Sequence, residues 1–144
     1  MAKAHAAGFT LIEIMIALAV VAITALAAVT TYRQQLRRGH RAAAAQALLL
    51  AAAEQEKFHL AHGAYGSRLD GRAGDDPPGL PVASRTPGGH YTLEVPLATA
   101  AEFRIVATAT GNQRDPACLS LSIDESGRRQ AQGDGGTDTA GRCW

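Results

Sequence analysis

The feature that most constrains this chain is an apolar run, residues 14–32, with one carboxylate, Glu13, immediately before it. No further charge appears until Arg33. The run is about long enough to cross a bilayer as a helix, for which ~20 residues are needed. An ionised carboxylate carried into hydrocarbon costs about 2.5–3.5 kcal/mol on insertion scales. Such a residue needs a partner, so Glu13 bears on function.

The pattern continues without a break. From Arg33 to His62 there is no proline, and Leu36, Ala43, Ala47, Leu50, Phe58 and Ala61 recur at helical spacing. Gly39 is the weak point, and Gly63 suits a helix end. The spacing predicts one long helix over 9–62, apolar all round in its first half (9–32) and carrying one apolar stripe in its second. Residues 63–89 hold several Gly and four Pro, including "DDPPG" and "TPGG", and read as a loop. In "HYTLEV", "EFRIVATA" and "CLSLSID" apolar residues alternate with others, which means strands with one face buried. Short connections favour an antiparallel meander, and "ESG" turns towards a short fourth strand near Arg128–Gln130. The expected class is α+β, with the helix stripe covering the sheet of residues 90–144.

The formal net charge is +1 over 144 residues. Beyond residue 60 there are eight Arg against ten Asp and Glu, net −2, which argues against nucleic acid as a partner. Two cysteines, Cys118 and Cys143, behind a membrane or export segment point to a disulfide in an oxidising compartment ahead of two free thiols. A metal site would need at least two more ligands, and no His lies near either Cys in sequence. Closing that loop would hold the Gly-rich tail and stabilise the fold by about 3 kcal/mol in the chain-entropy model.

Three readings of the apolar run compete. A cleaved secretory signal would use Lys3 and the "ALA" at 25–27, but Glu13 interrupts the approach to its core. An ordinary anchor conflicts with charge counting, because Arg33, Arg37, Arg38 and Arg41 follow the span while only Lys3 and the amino terminus precede it. The third explains more. "GFTLIE" followed by a long apolar helix resembles the prepilin signature of type IV pilins and pseudopilins. The resemblance implies a leader of residues 1–8, cleavage between Gly8 and Phe9, and Phe9 as an N-methylated mature terminus. It also implies that Glu13 pairs with the terminal amine of a neighbouring subunit and sets register in the fibre. The segment "QALLLAAAEQEKFHLAHGAYG", "DPACLSLSIDESG" and the ending "RCW" are similar to PilE-type minor pilins in particular. Thr30 in "TTY" and Ala22 stand where that family commonly has a helix-breaking proline and a glycine.

Other groups of residues have plainer roles. His59 and His62, at i, i+3, can share a helix face, but without an acidic or thiol partner they read as complements to the helix dipole rather than metal ligands. Arg33, Arg37, Arg38 and Arg41 read as contacts to lipid headgroups or acidic neighbours. For nucleic acid, Arg128, Arg129 and Arg142 are the local cluster to consider. No nucleophile motif, phosphate loop or zinc spacing is present, so neither catalysis nor a cofactor is expected. The resemblance implies a minor pilin that primes a type IV pilus and supports twitching motility and surface attachment. Its implied partners are other major and minor pilins, the prepilin peptidase and the inner-membrane assembly platform. It would sit in the inner membrane with its C-terminal part periplasmic, then in the extracellular pilus. The alternatives are a DNA-receptor pilin and a type II secretion pseudopilin.

Overall fold

The computed structural model describes residues 9–72, 74–111 and 115–144. The expected leader, with Gly8, lies outside them. The chain divides into two compact units between Leu36 and Arg37, and one helix, α1 (Leu11–His62), contributes to both. Thr10 starts it: its hydroxyl accepts from the Glu13 N–H at 3.4 Å, one half of a capping box spelled T-L-I-E. Gly63 ends it, with φ 73° and its N–H donating to His59 O at 2.8 Å. In the first unit every described residue from Phe9 to Gln35 is exposed.

In the second unit α1 buries Ala44, Leu48, Ala51 and Gln55, at spacings of four, three and four. The stripe expected through Ala43, Ala47 and Leu50 is therefore displaced by one residue. Ala43 and Ala47 lie on its flank, while Leu50 is 54% exposed and Ala61 is exposed. The physical reason is that an Ala/Leu-rich segment is apolar on several faces at once, so its period fixes the helix but not which face is covered.

Four antiparallel strands follow in the spatial order β1-β2-β3-β4: β1 (Tyr91–Ala98), β2 (Phe103–Ala109), β3 (Ser120–Asp124) and β4 (Arg129–Gln132). Tyr91, Leu93, Phe103, Ile105, Ala107, Leu121, Ile123 and Ala131 form the inner face and join the α1 stripe in one core. Strand β1 runs past the expected "HYTLEV" to Ala98, and its register with β2 shifts between Glu94 and Leu97. Pro96 falls in that irregular stretch, where a residue without an N–H is tolerated. Both sheet edges are covered. Ser84 O accepts from Leu93 N–H at 2.7 Å beside β1, and Thr139 N–H donates to Ala131 O at 3.0 Å beside β4.

The segment between α1 and β1 is irregular but anchored. Leu80 and Val82 are buried, and Gly71 N–H donates to Leu80 O at 2.8 Å. A Cβ at Gly71 would overlap the Gly79 carbonyl, so only glycine permits this approach. At the other end Cys118 and Cys143 form a disulfide with Cα atoms 5.8 Å apart, and Cys143 closes the short helix α2 (Ala140–Cys143). Trp144 Nε1 donates to Gln130 O at 2.8 Å, tying the chain's last residue to β4.

Candidate functional site

Two regions are candidates, and each is built within one unit. The first is the start of α1. Among the described residues α1 is the one helix long and apolar enough to cross a membrane. Phe9, Leu11, Ile12, Ile14, Met15 and Ile16 surround Glu13, each about half exposed or more. This surface has no partner among the described residues and belongs in lipid or against other helices. Glu13 is in the first turn, where a carboxylate favours the helix dipole and the capped N–H groups orient the end. Thr24 donates to Val20 O at 3.0 Å, and Thr30 and Thr31 both donate to Ala27 O, at 2.9 and 3.2 Å. These bonds hide the hydroxyls inside the apolar segment.

The second is the outer face of the sheet. Arg104 and Val106 of β2, Ser120 and Ser122 of β3, and Gln130 and Gln132 of β4 line a groove of about 380 Å³, with Arg129 and Asp138 on it. Register brings them together: Val106 lies opposite Ser122, Ser122 opposite Gln130, and Ser120 opposite Gln132. Arg129 also lies over the Trp144 ring, 5.4 Å from its centroid. Arg104 was absent from the expected cluster, although the alternation in "EFRIVATA" already puts it on the wet face. Arg128 lies 3.7 Å from Asp124, not on the groove. Burial pushes the Asp124 carboxyl up, but bonds from the Ser126 hydroxyl and the Arg128 N–H, with the Arg128 charge, outweigh it and hold it below its usual value. Arg142 is on α2, outside the groove.

Arg41 leaves the expected basic stripe. Its Nε lies 2.9 Å from Asp115 Oδ2, a charge contact without hydrogen-bond geometry, and both side chains are largely buried. Its Nη1 lies 3.3 Å from Cys118 Sγ, so it braces the disulfide loop instead of meeting headgroups. Nearby, Tyr91 OH donates to Cys118 O at 2.9 Å, and burial, reinforced by Asp115, pushes the phenol up to about 12. His59 and His62 are used locally. His59 stacks on Tyr65 and bonds Ala100 O, while His62 stacks on Phe58 and bonds Phe58 O. Among the described residues no three His, Cys, Asp or Glu side chains gather as a metal site.

Comparison with known families decides the class. The profile of the prokaryotic N-terminal methylation motif matches residues 3–29. The profile of the family described as type IV minor pilin ComP, DNA uptake sequence receptor, matches residues 30–122, more than half of the chain. The chain belongs to the ComP family of type IV minor pilins. This ComP-family pilin is also similar in structure to a type IV pilin from Shewanella oneidensis, with 26% identity and a TM-score of 0.50 over 75% of this chain and 97% of that one. A comparison with curated proteins finds no match. The expected type IV pilin membership and the fold, a long helix on an antiparallel sheet with a disulfide-closed C-terminal region, are both borne out. The ComP-family pilin carries the methylation motif on its exposed apolar helix, as a pilin held in a membrane and later in a fibre requires.

Proposed function

We propose that this minor pilin is cleaved between Gly8 and Phe9, anchored by the first part of α1, and then drawn into the fibre, where Glu13 pairs with the Phe9 amine of a neighbouring subunit. The observation that carries the reading is one carboxylate at the start of the exposed, apolar first part of α1. Left alone in hydrocarbon, that charge is costly; opposite an amine it is compensated and fixes register. The role is structural: priming the pilus with other pilins, and so supporting twitching and attachment, with no catalytic step. The prepilin peptidase and the inner-membrane platform are the processing and assembly partners. Glu13→Ala should leave insertion and cleavage intact while its recovery in sheared pili falls severalfold. Normal incorporation of the variant would show that Glu13 does not set register.

A second reading is favoured by a specific observation. The family's description names a DNA uptake receptor, and Arg104 and Arg129 share one exposed groove. Under this reading the pilin presents duplex DNA to the pilus. The net −2 beyond residue 60 limits a long-range field, not a local contact. Fluorescence anisotropy of the mature chain in zwitterionic detergent tests it. Salt-sensitive binding of a labelled duplex supports the receptor role, and no binding at about 50 mM salt leaves the structural role alone.

A further inference from the structure

The two sulfurs of the Cys118–Cys143 disulfide sit in unlike surroundings. Cys118 is fully buried and pinned from three directions. Arg41 Nη1 of α1 lies 3.3 Å from its Sγ, and Tyr91 OH of β1 donates to its carbonyl at 2.9 Å. Its own N–H donates to Asp115 O at 2.9 Å. Cys143 ends the four-residue helix α2, behind the Gly-rich stretch 133–136. Its Sγ lies 3.3 Å from the Thr139 hydroxyl, a neutral group. We propose that this asymmetry makes the disulfide a directional site for thiol–disulfide exchange, in which Cys143 takes the external partner and Cys118 is the resolving cysteine activated by Arg41.

Two effects act in the same direction. Local opening begins where tertiary ties are fewest, at the tail, and uncovers Cys143 while Cys118 keeps its place. A guanidinium beside a sulfur favours the thiolate, and a stabilised thiolate leaves faster. Asp115 Oδ2, 2.9 Å from Arg41 Nε, takes up part of that charge but also holds the guanidinium in position. In reduction an external thiolate attacks Cys143 Sγ. The bond to Cys118 breaks, and its electron pair goes to Cys118 Sγ opposite Arg41. A second external thiolate attacks the external sulfur of the mixed disulfide, frees Cys143 as a thiolate and leaves as the external disulfide. Oxidation by a disulfide oxidant of the dithiol-exchange class runs the other way. The Cys143 thiolate attacks the oxidant's disulfide and releases one of its sulfurs as a thiolate. The Cys118 thiolate then attacks Cys143 Sγ and expels the second, so the oxidant departs as a dithiol.

The test uses the mature full-length chain in zwitterionic detergent, with reduced glutathione as the probe. After brief exposure, acid quench and maleimide labelling, peptide mass mapping locates the two labels. Glutathione should be on Cys143 and maleimide on Cys118, in roughly tenfold excess over the reverse. Arg41→Met with Asp115→Asn removes the cation without stranding a buried carboxylate, and leaves the disulfide in place. Loosening the loop would speed reduction, whereas losing the cation that faces the leaving thiolate should slow it severalfold. The sign therefore separates an activating arginine from a merely structural one. Glutathione found mainly on Cys118, or a double variant reduced as fast as wild type or faster, would overturn the proposal.

Discussion

Gln55 joins α1 to the loop that follows it. Its Nε2 donates to Gly66 O at 2.7 Å and its Oε1 accepts from Gly66 N–H at 2.8 Å, with the side chain fully buried. Both backbone polar groups of one residue are thus paired by one amide. Gln55→Ala removes both bonds and leaves Gly66 buried and unpaired, so stability should fall by about 2–3 kcal/mol, read by denaturant unfolding against wild type. The sequence concealed this role, because a glutamine between Glu54 and Glu56 has the look of a solvated face. A second residue-scale feature is the stack of His40 on His90, with ring centroids 3.5 Å apart. Burial, and then the neighbouring His90 charge, hold His40 below its ordinary 6.5. The folded state therefore favours the neutral ring. Its contribution is complete above about pH 6.5 and is lost as pH falls through the lowered value. His40→Gln should accordingly flatten the fall in melting temperature between about pH 7.5 and 5, whereas an unchanged pH profile would show that the pair does not govern it.

At the scale of elements, the strands and the helix were legible because their periods differ: two for β1 to β3, and near 3.6 for α1. The face of α1 was not legible, since in "RAAAAQALLLAAA" almost any rotation offers apolar side chains. The choice falls to the sheet, which packs on Ala44, Leu48 and Ala51 and leaves Leu50 outside. The groove was half legible: alternation put Arg104, Ser120 and Ser122 on the wet face, but only register revealed that Gln130 and Gln132 lie beside them. The Cys118–Cys143 bond closes 25 positions of chain around β3, β4 and α2. Replacing both cysteines with serine should cost about 3–4 kcal/mol in the chain-entropy model and loosen Trp144 from Gln130. Thermal unfolding and hydrogen exchange at β4 check this, and an unchanged melting temperature would contradict it. Arg41, against Cys118 Sγ and Asp115, should by contrast still hold its end of that loop.

For the whole molecule, the two units have different tasks. The first exposes Phe9–Gln35 and has no use for that surface as an isolated chain in water. The second carries its own core of helix stripe and sheet, and keeps its polar sheet face outward. An apolar segment joined to a folded domain in this way serves a chain that begins in a membrane and finishes among copies and relatives of itself. Everything proposed for Glu13 depends on where the mature chain begins, because its partner is the terminal amine. Intact mass and N-terminal sequencing of the protein recovered from sheared pili measure that directly. The account predicts a chain that starts at Phe9, carries one added methyl group on its amine, and no longer forms when Gly8 is changed to Val. A mature chain starting at Ala28, or one that enters pili with residues 1–8 still attached, would contradict it.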